Sequence, residues 1–148
     1  MALNPPANTP RITPYLLYED VAGALGWLTT AYGFRESMRI PGPDGKIAHA
    51  EMRLDDGMIM MGCPGREYQN PRRVGHVTQH LYVYVDDVDM HFERARMAGA
   101  KIVEEPKDQF YGDRRYGAVD PEGHCWYFAQ HVRDVSPEDL KPIAQQQS

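Results

Sequence analysis

The chain repeats itself, and that repeat leaves few folds open to it. Ile12 to Tyr18 (ITPYLLY) suits a strand, and the acidic pair Glu19 and Asp20 follows. Val21, Ala24, Leu25, Leu28 and Tyr32 then recur at helical spacing, which lines them along one face. Gly33 stands where a left-handed cap ends a helix. About 67 residues later the same order returns. His80 to Val85 (HLYVYV) alternates like a half-buried strand, and Asp86 and Asp87 follow it. Val88, Phe92 and Ala95 mark the second helix face, and Gly99 closes it.

Each copy continues in strands. The first passes a turn at Gly42-Pro43-Asp44-Gly45, a strand from Ile47 to Leu54, a tight hairpin at Asp56-Gly57 and a strand from Met58 to Met61. The second has a strand near Ile102, a turn at Gly112-Asp113 and a strand from Tyr116 to Val119. It ends with the turn Asp120-Pro121-Glu122-Gly123 and a strand from Cys125 to Gln130. The unit is thus β-α-β-β-β. One helix can cover only one face of such a sheet, so the other stays open until a second unit joins it. The expected fold class is α+β: two βαβββ modules forming a curved mixed sheet, helices outside and a concave ligand cup inside. Residues 1–10 read as a disordered lead-in and 11–131 as one domain, with module 1 at about 11–63, a polar linker at 64–75 and module 2 at about 76–131. Residues 132–148 read as a short helix and tail, the helix opened by Ser136 as cap, Pro137, and the acids Glu138 and Asp139.

Charge and composition narrow the function. A formal charge of −5 without a clustered basic face argues against nucleic acid. No apolar run reaches the length of a membrane span, and the first residues (MALNPPANTP) lack the basic and apolar regions of a secretory signal. Cys63 and Cys125 are the only cysteines and read as free thiols of a cytoplasmic protein.

Strand alternation then lines the cup. His80, Tyr82 and Tyr84 share one face of their strand, opposite Leu81, Val83 and Val85, which suit the helix side. By the same parity Cys125, Tyr127 and Ala129 point inward while Trp126 and Phe128 pack outward; Thr13, Tyr15, Leu17, Ile59 and Met61 complete the first half. Nine tyrosines are present in the chain, and an apolar ring with a polar tip suits a planar ligand with a few hydrogen-bonding groups. The competing account is a small barrel filled by its own side chains. His49 and Glu51, two apart on one strand, share a face. Tyr111 and Arg114 lie in the loop of the second unit, where Arg114 either clamps an anion or locks the turn with Asp113. The expected ligand-binding set is Tyr15, His49, Glu51, Met61, His80, Tyr82, Tyr84, Tyr111, Arg114 and Tyr127.

The doubled pattern, the strand–Asp-Val–helix–Gly opening of each half and the ending DPEGHCWYFAQH resemble the vicinal oxygen chelate superfamily. That group holds glyoxalase I, the bleomycin-resistance proteins and the extradiol dioxygenases. The stretch YGDRRYGAVDPEGHCW followed by DVSPEDL resembles its glyoxalase-like or demethylubiquinone methyltransferase-like members. The resemblance spans about residues 11–141. It implies a homodimer, with modules paired within one chain or between chains, and a metal site with one ligand on the first and one on the last strand of each unit. Carried over by position, those ligands are Thr13 and Met61, then His80 and Tyr127. Only His80 suits a divalent metal, so no metal or other cofactor is expected. A rearranged set of His80, His49 and Glu51 is the fallback.

Three functions therefore stand open. The first is a metal-free protein binding a small aromatic or peptide-like molecule, without catalysis. The second is a lyase, isomerase or dioxygenase with a divalent metal on the rearranged set. The third is a dimerisation scaffold without a ligand.

Overall fold

In the computed structural model, described over residues 1–141, the chain divides into two units, Met1–His76 and Val77 onward. Each is a four-stranded mixed sheet with one long helix on one face.

In the first unit β1 (Tyr15–Leu17) leads into α1 (Val21–Tyr32), then β2 (Arg35–Pro41), β3 (Ile47–Leu54) and β4 (Gly57–Gly62). The sheet order is β1-β4-β3-β2, with β1 and β4 parallel and the other pairs antiparallel. Asp20 caps α1 by accepting from the Gly23 amide, and Gly33 ends it in the left-handed conformation, φ 81°. The helix buries Val21, Ala24, Leu25, Leu28, Ala31 and Tyr32 against Leu16, Ala50, Met52, Ile59 and Met61. The expected strand from Ile12 is shorter, starting at Tyr15, because Pro14 cannot donate to the ladder.

The second unit repeats the plan. β5 (His80–Tyr84), α3 (Val88–Met97), β6 (Lys101–Asp108), β7 (Asp113–Val119) and β8 (Cys125–His131) form a sheet in the order β5-β8-β7-β6. Asp87 caps α3 through the Met90 amide. Trp126, Phe128, Tyr116 and Ala118 are fully buried on the helix side with Val88 and Ala95. Asp120 holds the turn before β8, accepting from the amides of Glu122 and His124 and from the Trp126 indole.

The segment between the units carries a one-turn helix, α2 (Pro71–Val74), which the sequence did not announce. Asn70 caps it, and Glu19 accepts from the Asn70 amide at 3.0 Å and from Arg73 Nε at 2.7 Å. The expected C-terminal helix is a turn among the described residues: Ser136 Oγ donates to the Asp139 carboxylate at 2.9 Å, and the remainder of that segment, 142–148, lies outside them. Residues 5–10, read as a lead-in, line an open cleft of about 900 Å³ with Arg35, Ser37 and Arg53, and Arg53 donates to the Asn8 carbonyl. No residue named as a site from the sequence lies in that cleft.

Candidate functional site

The face of each sheet opposite its helix carries the polar aromatics. On the first sheet, alternation buries Leu16 and turns Tyr15 and Leu17 outward. His49 and Glu51 stand on β3, two strands away from β1. The intervening strand, β4, offers Gly62 beneath the Tyr15 ring: a Cβ there would sit 2.7 Å from the Tyr15 hydroxyl. The missing side chain lets Tyr15 cross β4 and reach His49 Nδ1 at 2.9 Å, while His49 Nε2 meets Glu51 Oε2 at 2.9 Å. His49 and Glu51 are mostly buried, at 22% and 15% side-chain exposure.

Met61 is corrected by the same register. It is fully buried under α1 with Ile59, and Met60 takes the open face, paired to Tyr15 and Glu51. Carrying the last-strand position over by analogy with Tyr127 put Met61 on the cup-lining face. The hairpin Leu54–Gly57 has two loop residues, so Gly57 already belongs to β4, whereas Gly123 precedes β8 by two positions. A one-residue difference in phase moves a side chain to the other face.

On the second sheet the alternation holds as expected: His80, Tyr82 and Tyr84 face away from α3, and so do Tyr127 and Ala129. Their organiser is Asp113 at the start of β7, which is buried. Asp113 Oδ2 accepts from Tyr82 at 2.7 Å and Tyr84 at 2.8 Å, and Oδ1 meets His131 Nδ1 at 2.7 Å. His131 Nε2 meets Asp134 at 2.7 Å. Tyr111 lies 3.1 Å from the Tyr82 hydroxyl and receives Arg115 Nη1 at 3.2 Å. Arg115 also pairs with Glu104 and lies over the Tyr127 ring, 4.6 Å from its centroid. Gly117 on β7 repeats the device of Gly62: a Cβ there would meet Tyr127 Cε1 at 2.7 Å.

These contacts set the protonation. Burial pushes the Asp113 carboxyl up, but hydrogen bonds from His131, Tyr82 and Tyr84 outweigh it and hold the group below its ordinary range. The Asp113 hydrogen bond, then that of Asp134, raises the His131 imidazole. Desolvation, with bonds to Tyr111 and Asp113, pushes the Tyr82 phenol up; the Asp113 bond, then burial, raises Tyr84.

Arg114 is the second correction. It pairs with Asp89 at 3.0 Å and Asp108 at 3.2 Å on the side of α3, while its neighbour Arg115 occupies the open face. The sequence reading missed Asp113, Arg115 and His131 as site residues. Strand parity with Tyr127 across β7 and β8 carries the signal, once Asp113 rather than Tyr116 is taken as the first residue of β7. His91 on α3 bonds through Nδ1 to the Tyr116 hydroxyl at 2.5 Å.

The donors do not fit the metal that such folds can carry. By register Met60, a thioether, is the counterpart of Tyr127, and Thr13 that of His80. The His80 ring packs on Tyr127 with centroids 4.6 Å apart. In the first unit both His49 nitrogens are engaged, and among the described residues no group of three His, Cys, Asp or Glu side chains is placed to hold a metal ion.

Two βαβββ units, each with a polar aromatic open face, define an α+β class built from a repeated module. Comparison narrows it: the family model of the Glyoxalase/Bleomycin resistance protein/Dioxygenase superfamily matches residues 11–128, and the chain belongs to that superfamily. An uncharacterized protein of Mycobacterium bovis is 37% identical over 139 residues, covering 89% of this chain and 90% of the relative. The crystal structure of TioX from Micromonospora sp. ML1 superposes with a TM-score of 0.69 at 36% identity, over 84% of this chain and 100% of TioX. A putative 3-demethylubiquinone-9 3-methyltransferase, the PhnB protein from Bacillus cereus, shares the fold at a TM-score of 0.60 and 14% identity, over 82% and 99% of the two chains. Among the described residues no helix is long and apolar enough to cross a membrane.

Proposed function

We propose that this protein binds a small planar molecule, aromatic or peptide-like, on the tyrosine-rich face of its second unit, and that it does so without a divalent metal. One observation carries the reading. The hydroxyls of Tyr82 and Tyr84 are tied to one buried carboxylate, yet their residues stay 37% and 59% exposed. Rings held by their tips and left open at their faces are ordered before any ligand arrives. Such preorganisation removes the entropy that loose side chains would lose on binding. Arg115 over Tyr127 extends the surface with a planar cation that stacks on aromatic ligands. The thioether and hydroxyl donors at Met60 and Thr13, poor ligands for a divalent metal, support the metal-independent reading.

Thermal-shift screening tests this with planar heteroaromatics and aromatic-bearing peptides, bleomycin among them, with and without EDTA. At least one compound is expected to raise Tm equally in both conditions, and Tyr127→Ala is expected to remove the shift while leaving the protein folded. No response from the whole panel, or a response abolished by EDTA, would sink the reading.

A further inference from the structure

The first sheet carries chemistry that this binding does not use. Glu51, His49 and Tyr15 form a line of carboxylate, imidazole and phenol, with both links at 2.9 Å. We propose that this line is a proton-transfer site, in which Tyr15 takes a proton from a bound molecule bearing an acidic O–H, N–H, or C–H beside a carbonyl. It does not rest on the second-unit binding face.

The direction of the hydrogen bonds supports the assignment. In the form of the line that does this work a carboxylate at Glu51 can only accept, so the single imidazole proton of His49 sits on Nε2 and points at Glu51. Nδ1 is then a lone pair, and Tyr15 must be the donor to it. The phenol oxygen therefore turns unused lone pairs toward the open side of the sheet, with a base behind its own proton. When the ligand's X–H bond breaks, that proton joins the Tyr15 oxygen as the original Tyr15 proton passes to His49 Nδ1. The X–H electron pair stays on the ligand as an anion, and the new imidazolium is held by Glu51. Charge and protons balance without a further reactant. Hydroxyls backed by an oriented imidazole gain their reactivity in this way. Tyr15 is the group that meets the ligand; His49 and Glu51 are positioning residues.

Two further observations set the line apart from incidental surface bonding. Gly62 on β4 lies under the Tyr15 hydroxyl, and a methyl there would strike it at 2.7 Å and the Ala48 carbonyl at 3.0 Å. The imidazole and carboxylate are mostly sheltered, whereas Tyr15 is 49% exposed, so the reactive end faces outward. Tyr84 provides an internal contrast: its hydroxyl donates to a carboxylate that raises its pKa, although at 59% it is the more exposed ring.

The test needs no ligand. The full chain is treated with limiting N-acetylimidazole near neutral pH, and acetylation of each tyrosine is followed by peptide mass mapping. The phenol oxygen attacks the acetyl carbon, the acyl C–N bond breaks, imidazole leaves with the electron pair, and the phenol proton departs through His49. Tyr15 is expected to react on the order of a hundredfold faster than Tyr84, the scale of a positioned general base. His49→Gln should bring Tyr15 down to the rate of Tyr84, and Glu51→Gln should give a rate between the two. A ratio of Tyr15 to Tyr84 in the unaltered protein below about tenfold overturns the proposal, whether or not the variants fold. So does a His49→Gln protein whose Tyr15 reacts as before.

Discussion

The two units share a skeleton and differ on the face that skeleton leaves open. In the first, three side chains form a single line ending in an exposed phenol. In the second, Tyr82, Tyr84 and His131 converge on one buried carboxylate, with Tyr111 and Arg115 attached to its edge. The helix sides differ in the opposite sense: α1 buries six residues along its length, whereas α3 buries Val88 and Ala95 and spends its surface on ion pairs such as Arg114–Asp89. The unit with the poorer apolar helix contact holds the denser polar web. A duplicated backbone therefore keeps its strand order while stability moves between the two faces of the sheet.

The largest break in that comparison is expected from removing the hub. Asp113→Ala strips the acceptor from Tyr82, Tyr84 and His131 at once, and should cost about 3 kcal/mol in urea unfolding, because three hydrogen bonds to one buried carboxylate are lost together. Glu51→Ala in the first unit, which ends a line instead of a web, should cost no more than about 1 kcal/mol. Equal losses would show that the two faces are held alike.

Glycine substitutions are expected to act next. Gly62→Ala should push the Tyr15 hydroxyl off His49, and Gly117→Ala should push the Tyr127 ring off Arg115, each costing about 1–2 kcal/mol as small-to-large changes do. Near-UV circular dichroism of the two variants should show altered aromatic packing with the helix signal kept. Unaltered aromatic signals would mean that the rings cross their strands without needing the gap.

The smallest effect is in pH. His131 has a folded pKa raised from 6.5, so its contribution is fully present below 6.5 and is lost as pH rises through the raised value. Asp113 has a folded pKa lowered from 3.8, so its contribution is present above 3.8 and is lost as pH falls through the lowered value. Between 3.8 and 6.5 both act. The Tm gap between the unaltered protein and His131→Gln should be wide at pH 5 and narrow at pH 9. A constant gap would assign His131 a packing role alone.

Much of this was legible in the residues. The helices α1 and α3, their aspartate caps, and the outward set His80, Tyr82 and Tyr84 follow from periodicity, which a backbone must obey wherever one face is buried. Met61 and Arg114 were misplaced because strand phase depends on loop length, and loop length is set by where a hairpin closes rather than by composition. Asp113 escaped for a different reason. A carboxylate at a Gly-Asp turn reads as turn chemistry, and only the fold reveals two tyrosines and a histidine converging on it. The short helix α2 depends on Glu19, some fifty positions away, which local sequence cannot report.

Gly62 and Gly117 have a consequence for descent. A ring lies across a neighbouring strand at least cost where that strand has no side chain, so the gap favours the contact. For the Tyr15–His49 and Arg115–Tyr127 contacts the less costly order is glycine first and the aromatic partner second. Reversal is disfavoured in the same order, since a methyl that returns while the ring is in place must displace it. The two glycines thus act as ratchets on how this face can change.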